Sequence, residues 1–135
     1  MATELLKVEG IQRRLSPLFE RPEVHLVVLF GSYAKGQARA SSDIDLGILA
    51  EGDFEGLRLE VIRLLRSDRV DTVDLRRASP LLAMSIARYG RPLHQGRSGA
   101  FASFASLSLR RYNDTVKLRE MQKTEIKKFL AGRGL

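Results

Sequence analysis

The sequence predicts an α/β (α+β) domain, a small sheet flanked by helices and followed by a long C-terminal helix. Three observations predict it. Two short apolar runs, residues 24–30 and 44–49, are bounded by turn-forming residues as strands are. Apolar side chains over residues 54–65 recur at helical spacing, and a polar, basic segment reads as helical through at least residues 109–130.

The elements follow in order. Thr3 is placed to cap a first helix, with Leu5, Leu6, Ile11, Leu15 and Leu18 as its apolar stripe and Pro22 near its end. The run Val24-His25-Leu26-Val27-Val28-Leu29-Phe30 is a buried strand, closed by Gly31, and Ser32 opens a short helix. Residues 37–42 are small and polar and form a loop. Asp43-Ile44-Asp45 begins the next strand. Phe54, Leu57, Val61, Ile62, Leu64 and Leu65 mark a helix that stops at Ser67-Asp68, ahead of a strand at Val70. Pro80 starts another helix and Gly90 sits where a cap would end it. Residues 91–95 are extended, and Gly96-Arg97-Ser98-Gly99 is a flexible stretch leading to the last helix. There Tyr112, Val116, Met121, Ile126 and Phe129 form a partly buried stripe too irregular for a coiled coil.

At 135 residues the chain holds one core, with no room for a second, substrate-binding domain. A hydrophobic content of 44% and charged content of 29% describe a globular chain, and its longest apolar run is far short of a membrane span. Glu4 and Glu9 interrupt any secretory leader, and the absence of cysteine removes disulfides and thiolate metal sites, so a cytoplasmic location is expected. The net charge of +7 is uneven. Residues 1–96 carry 14 basic and 13 acidic groups, whereas residues 97–135 carry 9 basic and 3 acidic. That tail suits an acidic partner or a solvated face. It has no aromatic platform for stacking bases, which points away from a dedicated RNA-binding module.

The chemistry sits in Gly31-Ser32 and Asp43-x-Asp45, with twelve residues between Ser32 and Asp45. A glycine-serine turn after a buried strand turns backbone amides and a hydroxyl toward the anionic tail of a triphosphate. Two carboxylates two apart on a strand share a face at roughly 6.6 Å along it. They converge on divalent ions about 3.5–4 Å apart, the arrangement used for in-line displacement at phosphorus. A third carboxylate is expected. Asp71 and Asp74 compete for that role, and because they lie three apart on a strand only one faces the pair. Three clustered carboxylates without metal repel one another, so at least one pKa is expected to rise.

The stretch GSYAKGQARASSDIDLGIL resembles the core motif of the minimal nucleotidyltransferases, a branch of the DNA polymerase beta superfamily. RVDTVDLRRASPLLAMSIARYGRPLHQ is similar to the second half of the same small domains. The resemblance implies a polymerase-beta-like fold with a small mixed sheet over residues 1–96. Residues 97–135 are then a basic helical C-terminal extension that packs on the domain or on a partner. It implies catalytic and metal-binding roles for Asp43, Asp45 and Asp71, the last because Arg69-Val70-Asp71 looks like the third acid of polymerase beta. It implies nucleotide binding by Gly31, Ser32 and Lys35, where relatives often carry arginine. Magnesium, as two ions, would be the cofactor and ATP the substrate. Such proteins are often antitoxins of a HEPN-domain ribonuclease toxin and transfer AMP to its tyrosine. The alternatives are an inactive antitoxin that neutralises by binding alone, and transfer to a small molecule or RNA end.

Other residues have plainer roles. His25 is read as a strand histidine, and His94 lacks a second ligand at metal spacing. Tyr33 either stacks on a base or packs near Pro22. Tyr89 and Tyr112 are conceivable self-modification acceptors that helix packing explains more simply.

Overall fold

The computed structural model describes residues 6–132, so the Thr3 cap and Leu5 lie outside the described residues. Ten elements follow in order: α1 (Val8–Arg14), α2 (Ser16–Phe19), β1 (Val24–Phe30), α3 (Gly31–Ala34), β2 (Ile44–Ala50), α4 (Phe54–Leu65), β3 (Val70–Asp74), α5 (Pro80–Tyr89), β4 (Arg91–Gln95) and α6 (Ala100–Gly132). The expected single first helix is broken at Leu15. Pro17 has no N–H to donate to the carbonyl four residues back, so the stripe of Ile11, Leu15 and Leu18 is buried from two short helices rather than one.

The four strands lie in the order β3-β2-β1-β4. β1 is antiparallel to both β2 and β4, and β2 is parallel to β3, so the sheet is mixed. A parallel pair needs a crossover, and α4 provides it. Asp53 caps that helix by accepting from the Glu55 amide at 3.1 Å.

Alternation along the strands builds a core on each face of the sheet, two clusters rather than the single core expected from length. Val27, Leu29, Leu46 and Ile48 face α1, α2 and α4, meeting Ile11, Leu15, Val61 and Leu65. Leu26 and Val28 face the other way, against Ala83 and Ile86 of α5 and Ala100 and Phe104 of α6. Each buried aliphatic side chain stabilises by about 1.5–3 kcal/mol, so burial on both faces fixes the register.

Gly90 is extended, with φ −73° and ψ 157°, rather than the left-handed cap that glycine usually supplies at a helix end. It is required for space instead. A β-carbon there would lie 2.3 Å from the Ile86 carbonyl oxygen and 2.5 Å from Val28 Cγ1. Gly90→Ala is therefore expected to destabilise the fold by about 1–3 kcal/mol, read as a lower denaturant midpoint at unchanged slope.

The last helix runs from Ala100 to Gly132 without interruption, entered through Gly99 at φ +80°. Only its first turns are buried. Tyr112 and Val116 are half-buried, but Met121, Ile126 and Phe129 are exposed, so the expected stripe holds for the first part alone. Beyond about residue 116 the helix has run past the domain's apolar surface. Among the described residues no helix is long and apolar enough to cross a membrane.

Candidate active site

β1 ends at Phe30 and the chain turns at once into α3. Gly31 makes that turn at φ +71°, a conformation L side chains rarely adopt, and a β-carbon on it would lie 2.1 Å from Asp45 Oδ2. The glycine thus brings backbone against carboxylate. Phe30 pairs with Asp45 across β1 and β2, and Asp45 pairs with Asp71 across β2 and β3. Three adjacent strands therefore place the turn, Asp45 and Asp71 in one row at one end of the sheet, at strand spacings of about 4.8 Å.

Asp43, just before β2, has the parity of Asp45 and adds to the same cluster. The Asp45 carboxyl is held above the usual carboxylate range, first by burial and then by repulsion from Asp71 and Asp43. Asp43 and Asp71 themselves are exposed. All three acids extend the sheet face that carries Val28 and Val73 into the α5 and α6 core. Asp74 is elsewhere. It pairs with Ile48 farther along β3, and its carboxylate accepts from the Arg76 amide at 3.0 Å and the Arg76 guanidinium at 3.2 Å.

The donor set suits a hard divalent cation, being oxygen ligands of like charge with no cationic side chain among the causes acting on Asp45. As they stand, no three acidic or histidine side chains among the described residues meet at ligating distance. Asp45 nevertheless feels the charge of both neighbours.

Ser32 is half-buried on α3. Lys35 caps the end of that helix, exposed, with its ammonium 5.4 Å from the Tyr89 ring centroid. Tyr89 also receives Arg88 at 5.7 Å and is 54% exposed, so packing does not account for it. This cation-flanked ring beside the glycine-serine turn is the feature the sequence reading missed. Its signal, an Arg-Tyr-Gly at a helix end, points nowhere until β4 returns beside β1. Tyr33 is buried in the first core, on the side of the sheet away from the acids. His25 sits 3.4 Å from Glu51, and His94 stacks on Phe19 at 4.8 Å, both away from the acids.

Comparison with known proteins identifies a family and a fold. The family described as "Polymerase beta, Nucleotidyltransferase" matches residues 14–97. A curated relative from Shewanella oneidensis, named protein adenylyltransferase MntA, is 38% identical over 76 residues. That match covers 53% of this chain and 55% of the relative, so the chain spans about half the length of that protein. A solved toxin–antitoxin structure with AMP-PNP superposes with a TM-score of 0.69 at 29% identity, covering 86% of this chain and 98% of that one. A second, of a tri-AMPylated Shewanella oneidensis HEPN toxin with its MNT antitoxin, gives 0.65 at 27% identity, covering 88% and 98%.

Proposed function

This chain belongs to the polymerase beta nucleotidyltransferase family, and on that premise we propose that it transfers AMP from ATP to a tyrosine hydroxyl of a HEPN-domain ribonuclease toxin, acting as its antitoxin. The observation that supports the reading is the row made by the Gly31 turn, Asp45 and Asp71, in which the backbone of the turn lies against paired carboxylates. The related adenylyltransferase and the AMPylated toxin complex supply the acceptor class.

In this reading the Ser32 hydroxyl and the amides of the turn hold the β- and γ-phosphates of ATP. Asp43, Asp45 and Asp71 would hold magnesium, which when bound neutralises the triphosphate and lowers the acceptor's pKa. Asp45, the most enclosed of the three, would be the most fixed of the magnesium ligands, while exposed Asp71 faces the incoming acceptor. The acceptor oxygen bonds to the α-phosphorus and the bond from that phosphorus to pyrophosphate breaks. The hydroxyl proton leaves past Asp71 to water. Lys35 adds a point charge to the phosphates from the end of α3.

Incubating the chain with its HEPN partner, ATP and magnesium, then sequencing the modified peptides, tests the acceptor. AMP on a tyrosine is expected. Neutralisation of the toxin with no covalent AMP would show blocking by binding alone. Lys35→Ala is expected to raise the KM for ATP by about 3- to 10-fold with kcat nearly unchanged, because an exposed ammonium contributes equally to ground and transition states.

A further inference from the structure

On the sheet face opposite the acids lies an open cavity of about 840 Å³. Four arginines from three parts of the chain converge on its rim: Arg14 of α1, Arg63 and Arg66 at the end of α4, and Arg69 before β3. Asp68 is the one acid that lines it. Few of the guanidiniums are engaged. Arg14 donates to the Leu65 carbonyl at 3.0 Å, and Arg63 reaches Glu60 only at 3.8 Å. Arg66 and Arg69 have no carboxylate partner among the described residues.

Arg66 carries a second signal. It is the C-cap of α4 at φ 55° and ψ 40°, the single non-glycine residue with positive φ among the described residues. Glycine is the residue such a position favours, and an arginine there is held in a conformation that side chains disfavour. A strained, unpaired cation beside three others is a feature that stability alone does not explain.

We propose that this cavity is a second anion site that binds a phosphate-rich ligand, separate from the triphosphate held at the acids. Guanidinium forks match phosphate oxygens two at a time, and four arginines lining one concavity suit clustered phosphates. The volume lies in the range of small-molecule sites. Converging positions around a hollow, rather than a stripe along a helix, favour a compact polyphosphate over an extended acidic peptide. The same chemistry comes from two sources, a free nucleoside polyphosphate or the backbone of RNA.

The test is calorimetry in EDTA, which removes any contribution from metal held by the acids, with tripolyphosphate in one arm and a short single-stranded RNA in the other. Binding of either ligand is expected for the wild-type chain. Arg66→Gly combined with Arg69→Ala is expected to weaken it by about tenfold or more. Arg66→Gly alone relieves the backbone conformation, so it is expected to weaken binding while its melting temperature holds or rises, a pairing that a purely structural arginine would not give. Tripolyphosphate binding alone identifies a free polyphosphate, and RNA binding alone a nucleic acid. No binding in either arm at millimolar ligand overturns the proposal. So does binding that the arginine variants leave intact. Transfer activity is not a readout in either arm, so failure here leaves the transferase reading standing.

Discussion

Replacing Asp43 and Asp45 together by asparagine is expected to lower AMP transfer by at least about 10³-fold, on the scale of the several kcal/mol that a bound cation contributes to a phosphoryl transition state. Asparagine keeps the shape and one oxygen of each side chain but removes the charge. The loss is then electrostatic rather than steric, and it should appear in kcat as well as in KM for ATP. The same substitution at Asp45 alone has an opposite effect on the fold. Burial and the neighbouring acids raise the Asp45 pKa above its unfolded value, so the folded chain holds the proton more tightly. The stability this contributes is complete below the ordinary aspartate range and is lost as pH rises through the raised value. At neutral pH the ionised Asp45 is therefore a liability in the metal-free chain. Asp45→Asn is expected to melt about 1–4 °C higher than wild type at pH 7, with the difference vanishing at low pH. Magnesium should stabilise the wild type and leave the double variant unchanged. A double variant that melts earlier at every pH would contradict the electrostatic account of this cluster.

Gly31→Ala is the second large effect. The substitution meets two obstacles at once, a φ of +71° and an Asp45 oxygen 2.1 Å from the new carbon. Relief requires the turn to open or the carboxylate to swing away, and either displaces the amides of the turn from the acids, which the proposed transfer needs side by side. A displacement near 1 Å is enough to cost about 100-fold in rate, and the strained backbone costs about 1–3 kcal/mol in stability. The rate should fall although Asp43, Asp45 and Asp71 are all present. Gly36→Ala provides the contrast. Its φ is +69° but a β-carbon there meets nothing within 4 Å, so it shares the backbone strain without the collision, and activity should drop far less. Equal losses at the two glycines would show that the contact with Asp45 is not what matters.

The strands were readable because buried strands are apolar runs with turn residues at their ends, and β1, β2, β3 and β4 lie where residues 24–30, 44–49, 70 onward and 91–95 place them. The mixed sheet and long last helix agree with the fold the family resemblance implied. The glycine-serine turn and Asp43-x-Asp45 were legible because their chemistry is written in short covalent spacing. Spacing alone left Asp71 and Asp74 open, since both are acids on one strand, and it was the family resemblance that favoured Asp71. The parallel register that sets Asp71 beside Asp45, and the guanidinium that engages Asp74, exist only once α4 has carried the chain across. Tyr33 and Tyr89 show the same limit in opposite senses, one buried and one exposed, because burial depends on which layer lies over a residue. The break at Leu15 was in principle visible in Pro17, and the apolar stripe outweighed it. The four arginines of the second cavity are scattered between positions 14 and 69, with no spacing to announce that they meet.

Labelled ATP tests the central claim most directly. With a HEPN-domain toxin as the proposed acceptor and magnesium present, label in the α-phosphate should appear on that protein, and label in the γ-phosphate should leave as pyrophosphate without marking it. Asp43→Asn/Asp45→Asn should transfer neither. Toxin marked by the γ-label, or by the α-label with both aspartates replaced, would contradict a nucleotidyl transfer site built from the Gly31 turn and the acids of β2 and β3.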